Sequence, residues 1–278
     1  MSQQPDDVDF NISTPPLPEY KIISLGYRCT VAGILKKLGL KHESFPFDWL
    51  VSRLSVIQHC IQDDFREFLN TENYQQKHTR TFSRIDIITE GLICDEDIWA
   101  NMYYQPIEMP NPIHTYHYRL ALNHHNIVGN VAHYEYFKRC VQRLRNELNT
   151  KTSKMFVHIT PVFTIDCFQN CGINIVKECH DFQEFLESNE GWQEEGGEEG
   201  AEQHSFTIRS LYFIMVLDNL ESTPTLTILH ENIDNPIFKH KIYLIKTNYN
   251  LRDAGETFMG DYGEEEELIG TCIRRFSV

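Results

Sequence analysis

The chain has 278 residues and a formal net charge of −15, with 41% hydrophobic and 12% aromatic residues. A chain of this size buries a large core without disulfide or metal staples. Its negative charge repels polyanions, which excludes general binding to nucleic acid or to an anionic membrane surface.

That charge is uneven, because nine acidic residues fall in two runs, Glu194, Glu195, Glu198, Glu199 and Glu202, and then Glu264–Glu267. The body of the protein is therefore closer to neutral and leaves room for a local basic site. The first residues carry neither the basic nor the apolar region of a secretory signal. No apolar run reaches the roughly 20 residues of a membrane span. The eight cysteines are scattered, as free thiols in a reducing compartment are. The expectation is a cytoplasmic protein with no nucleic-acid or membrane partner.

In chain order, residues 1–18 are polar and Pro-rich and read as a disordered tail. Tyr20 to Gly26 reads as a buried strand. Val31, Ile34, Leu35 and Leu38 then share one helical face, with Gly39 placed to close the helix. After "KHESFPFDW", the residues Leu54, Ile57, Ile61, Phe65 and Phe68 predict one helix running to about Leu69. "TFSRIDIITEGLIC" contains a strand, and another lies near Tyr116 to Leu122. Tyr134, Phe137, Val141, Leu144 and Leu148 form an amphipathic helix ending near Thr150, and "KMFVHITPVF" is a buried strand. Ile173 to Ser188 reads as a helix, and residues 190–204 as an acidic, Gly-rich insert in solvent. Three strand-like segments follow, "RSLYFIMVLDN", "TPTLTILHEN" and "FKHKIYLIKTN". "EEELIGTCIRRF" closes the chain as a helix whose carboxylates and arginines suit its dipole. Strands alternating with helices predict the α/β class: one domain over 19–278, with a mixed sheet and helices on both faces.

The chemistry concentrates at the first strand-to-helix turn. Cys29 follows Gly26 at the C-terminal edge of the first strand, where open α/β sheets carry their ligand crevice. N–H groups of a first helical turn favour a thiolate and can hold an oxyanion, so Gly26, Arg28, Cys29 and Thr30 form a candidate anion-binding turn. The dull alternative makes Cys29 a small buried residue. A cysteine nucleophile needs a base, and the densest histidine cluster is "HTYHYRLALNHHN", containing His114, His117, His124 and His125. If the strand before them alternates, His124 and His125 point to opposite sides and at most one faces the thiol. Asp48, within "SFPFDWL", either orients that imidazole or caps the next helix. Trp49, Asn123 and His117 are the candidate substrate contacts.

Cys167 and Cys171, followed by Cys179 and His180, match no zinc spacing, so neither metal nor cofactor is expected. The phosphate-loop, dinucleotide, zincin and serine-hydrolase motifs are absent.

"ISLGYRCTVAGILKKLGLKHESFPFDWLVS", then "LNHHN…HYEYFKRCVQRLRNEL" and "KMFVHIT", resembles a microbial and viral family described as papain-like cysteine peptidases. The specific feature is S-L-G-x-x-C followed 17 residues later by P-F-D-W. The resemblance implies Cys29 as nucleophile, His124 or His125 as base, Asp48 as third member, and a peptide or protein substrate. The residues around the papain cysteine itself are not reproduced here. A strand feeding directly into the cysteine helix points to a layered α/β arrangement, with papain-like α+β as the alternative. Two rival functions remain from the residues: a non-catalytic binding protein, and a phosphate or sugar-phosphate site at the same turn.

Overall fold

The computed structural model describes residues 20–26, 30–82, 93–107, 118–162, 174–189, 206–216, 224–246 and 263–277. Among them are two sheets and six α-helices. The larger sheet contains β1 (Lys21–Ser24), β6 (Lys154–Val162), β7 (Ile208–Val216), β9 (Phe238–Lys246) and β8 (Thr225–Asn232), in that spatial order. The first four run parallel, and β8 is an antiparallel edge strand. The second sheet is antiparallel throughout, with β2 (Leu50–Ser52), β5 (Leu120–Leu122), β4 (Ile93–Asn101) and β3 (Tyr74–Phe82) in order.

Helices cover both faces of the larger sheet, as the α/β reading requires. Strand residues of alternating parity feed two separate cores. Phe156, Ile208, Tyr212, Ile242 and Leu244 face one core. There they meet α2 (Leu54–Gln62), α4 (Val131–Leu148) and α5 (Ile175–Glu187). Met155, Val157, Leu211, Phe213 and Ile245 face the other core, against α1 (Thr30–Lys37) and α6 (Gly263–Ser277). The central β7 is buried at every position, which is why it reads as a continuous apolar run.

Gly39 ends α1 as expected. At φ +69° it donates to Lys36 O (3.1 Å) while Leu40 N reaches Leu35 O (2.8 Å), the two bonds of a Schellman cap. The predicted single helix to Leu69 is instead broken. Asp64 (φ 53°) and Phe65 (φ 59°) are left-handed, and Phe65 N returns to Cys60 O at 2.7 Å. The chain then restarts as the four-residue α3 (Arg66–Leu69). The break seats the Phe65 ring against Phe47 and Phe68, at centroid distances of 5.9 and 6.0 Å, so tertiary packing overrides the helical period. The strand expected within residues 81–94 falls mostly outside the described residues; β3 and β4 flank it. The tail and the acidic insert also lie outside them. No described helix is long and apolar enough to cross a membrane.

Candidate active site

The two motif halves meet at Gly26. Beyond β1 the chain stays paired with β6 through Leu25 N to Val157 O (2.9 Å), then turns with Gly26 at φ +77°. A Cβ on Gly26 would stand 2.4 Å from the Phe47 carbonyl oxygen and 2.8 Å from Ser52 Oγ. The glycine is therefore required twice, for its backbone angle and because the P-F-D-W corner is packed directly on it. Ser52 Oγ also donates to Leu25 O (3.4 Å), tying β2 of the second sheet to the end of β1. Tyr27, Arg28 and Cys29 lie outside the described residues, between Gly26 and the buried Thr30 that begins α1.

Asp48 is fully buried in that corner. Its Oδ2 accepts from the Phe45 N–H (2.8 Å) and from the Lys41 ammonium, which also donates to Glu43 O at 2.6 Å. Burial raises the carboxyl pKa above its ordinary value, opposed by Lys41, by the Phe45 N–H and by the Ser24 hydroxyl. Asp48 does not cap the following helix: the N-cap of α2 is Arg53. The two bonds to Oδ2 hold the corner itself, and Oδ1 has no hydrogen-bond partner among the described residues.

The N-H-H-N segment turns the chain from β5 into α4. Asn130 caps that helix, its Oδ1 accepting from Ala132 N (2.9 Å) and His133 N (3.3 Å). Asn126 N donates to His133 Nδ1 at 3.0 Å. His124 is exposed, whereas His125 is half-buried. The His125 ring stacks on Tyr136 (5.2 Å, 23°) and meets Phe137 and His133 edge-on. Its Nδ1 is buried without a partner among the described residues. Burial, then His133 and His124, push its pKa down to about 4, so the imidazole is neutral near pH 7.

Tyr136 connects the two clusters. One face of its ring carries His125, while its hydroxyl is engaged by Ser44 and Cys140 and senses the Asp48 charge; burial pushes its pKa up to about 12. Tyr136 is thus acted on from both clusters, His125 by stacking on its ring and Asp48 by its charge. Trp49 is half-buried at the corner, and Asn123 is half-buried at the start of the histidine segment. His114 and His117 lie outside the described residues.

His158, within "KMFVHIT" on β6, is a histidine that the sequence motifs do not single out. It is 1% exposed; Nδ1 lies 3.3 Å from Leu25 O, and Nε2 lies 2.9 Å from Thr160 Oγ1. Burial pushes its pKa down to about 3, so it is a neutral ring that donates from Nδ1 to the strand end just before the turn. The available signal was a histidine on a buried strand otherwise filled with apolar residues. The four fully described cysteines, Cys60, Cys140, Cys179 and Cys272, are all buried, and burial raises each thiol pKa. They are core residues.

The geometry is that of a strand edge that ends in the Gly26 turn, backed by a buried carboxylate–ammonium corner, with a neutral imidazole on the segment that leads into α4. Comparison with known proteins identifies the same region. An uncharacterized protein of Acanthamoeba polyphaga mimivirus is 48% identical over 58 residues, covering 19% of this chain and 26% of that protein. The chain thus matches only about a quarter of that relative's length. No solved structure matches. Residues 20–160, which hold the Gly26 turn, the Asp48 corner, the His124–His125 pair and His158, match the family described as "Putative papain-like cysteine peptidase", and the chain belongs to that family.

Proposed function

We propose that the protein is a thiol hydrolase of the papain-like type that cleaves a peptide or related amide bond, with Cys29 as nucleophile. The observation that carries this reading is the family match over residues 20–160, which spans the Gly26 turn and the corner locked against it. Cys29 Sγ attacks the substrate carbonyl carbon while an imidazole takes the thiol proton. Main-chain N–H groups at Cys29 and Thr30 hold the oxyanion of the tetrahedral intermediate. Its collapse breaks the C–N bond, and the imidazolium passes its proton to the departing amine. Water then attacks the thioester with the same imidazole as base, releasing the acid and restoring the thiol.

Of the two histidines, His125 is favoured as base because its ring is held by Tyr136 and Phe137, while His124 is exposed. Asp48 acts on this reading as a positioning residue that fixes the corner beneath Gly26. Trp49, Asn123 and His117 are the proposed substrate contacts, and the substrate is a peptide or protein.

The test is labelling by an electrophilic peptide probe as a function of pH, in wild type, Cys29→Ala, His124→Ala and His125→Ala. Labelling confined to Cys29, with a thiol pKa below the free value of about 8.5 that rises in His125→Ala, is expected. A Cys29 pKa at the free value that neither histidine substitution moves would overturn the mechanism.

A further inference from the structure

A second cluster of chemistry lies at the far edge of the larger sheet. His180 on α5, His230 on β8 and His240 on β9 each offer a ring nitrogen, and these atoms lie within 4.8 Å of one another. The ring centroids are 4.4 Å apart for His180 and His230, 5.1 Å for His230 and His240, and 6.0 Å for His180 and His240. His240 is 4% exposed, yet neither of its ring nitrogens has a hydrogen-bond partner among the described residues. Two orphaned nitrogens on one buried imidazole forgo hydrogen bonds that folded proteins almost always make.

The local backbone is built to bring these rings together. Ile228 pairs with Tyr243, but His230 pairs with Ile242, so Leu229 is an extra residue in the ladder. In an unbroken ladder Leu229 would oppose Ile242, and His230 would point to the face that carries Lys241 and Tyr243. The bulge turns His230 onto the face of Ile242 and His240, where α5 packs and presents His180. Leu229 is displaced outward, 42% exposed, and so is Ile228 at 49%. The bulge leaves these apolar side chains in solvent while it sets His230, at the solvent-accessible edge, on the same face as the buried His240.

We infer that His180, His230 and His240 form a binding site for a late first-row divalent cation, with zinc as the type. Three imidazole nitrogens suit Zn²⁺, and a tetrahedral complex with bonds of about 2.1 Å needs nitrogens roughly 3.4 Å apart, within reach of small rotations of these rings. Asp181, the next residue along α5 and paired with Lys177 at 2.6 Å, is the nearby carboxylate. Three protein ligands leave one coordination position for water or an anionic group brought by a partner molecule. The site joins the edge strand to its neighbour and to α5. It lies three strands away from β1, near the start of β9 rather than at the strand ends where Cys29 belongs.

The experiment uses the full chain carrying Cys29→Ala, so that metal held by that thiol is not counted and the outcome is independent of the hydrolase reading. Zn²⁺ is titrated against a chromophoric chelator, and Co²⁺ absorption reports geometry. One equivalent of Zn²⁺ with an intense, tetrahedral Co²⁺ spectrum is expected. His240→Ala and His230→Ala should each weaken binding by more than about 100-fold, beyond the loss typical of an outer-shell partner. The exposed His42→Ala serves as control. His230→Cys, which preserves a ligand at the edge, should retain the equivalent and add a thiolate-to-cobalt charge-transfer band. Unchanged Zn²⁺ affinity in folded His230→Ala and His240→Ala, or a weak octahedral Co²⁺ spectrum in the parent, overturns the site.

Discussion

Gly26→Ala tests whether the S-L-G turn and the P-F-D-W corner are locked together as described. Alanine at φ +77° bears a left-handed penalty of roughly 1–2 kcal/mol. Its methyl group would also begin 2.4 Å from the Phe47 carbonyl oxygen, a backbone atom held by the corner, so corner or strand must shift by several tenths of an ångström. Overpacking of this kind costs typically 1–3 kcal/mol. The reduced freedom of the unfolded chain returns about 0.4–1 kcal/mol. The net expectation is a loss of about 2–4 kcal/mol, read as a lower urea midpoint with an unchanged slope. Because Ser52 Oγ is the second obstacle, at 2.8 Å, Gly26→Ala combined with Ser52→Ala should recover only a minor part of the loss. The Phe47 carbonyl is present in every variant. Stability within about 0.5 kcal/mol of wild type, the range of neutral surface substitutions, would refute the packing argument.

Asp48→Asn removes the counter-charge of Lys41, whose side chain is 9% exposed, and should cost about 3–5 kcal/mol in urea unfolding. Adding Lys41→Met should restore much of it, and an additive double mutant would show that the pair is not coupled. His158 is held at a pKa of about 3 against 6.5 unfolded, so the unfolded chain binds more protons between those values and stability falls as pH drops. By pH 5 this one ring costs about 2 kcal/mol, and His158→Gln should flatten that part of the stability–pH curve; an unchanged slope would contradict it. Cys60, Cys140, Cys179 and Cys272 should resist a thiol reagent in native buffer and react in denaturant, as peptide mapping by mass spectrometry would show. Rapid native labelling of any of them would mean that its core opens. Deleting Leu229 should restore a regular β8–β9 ladder and abolish the Zn²⁺ equivalent while the protein stays folded. Undiminished binding in that deletion would separate the bulge from the site.

Much of the architecture was legible because it is written in local periods. The amphipathic face of α4, the apolar run of β7 and the glycine after α1 are each decided by neighbours a few residues apart, and all appear where the sequence put them. The alternation of helix and strand was enough to place helices on both faces of a mixed sheet. Of the candidate site, the turn around Gly26 and the aromatic corner around Asp48 could be picked out as motifs, and the family resemblance linked them.

Contacts between distant segments decided the rest. No local rule says that Gly26 must lie against the Phe47 carbonyl, that Asp48 takes Lys41 rather than capping α2, or that His125 stacks on Tyr136. The apolar spacing that begins at Leu54 continues through Phe65, but burying that ring against Phe47 and Phe68 outweighs two left-handed residues. His158 looked like part of a strand until its neighbour proved to be the end of β1. His180, His230 and His240 are separated by 50 and then 10 residues, and a one-residue bulge turns the middle one onto the face of His240. Side-chain period determines which elements form; strand register, bulges and the choice of hydrogen-bond partner depend on what the folded chain brings alongside, and there the functional groups are assembled.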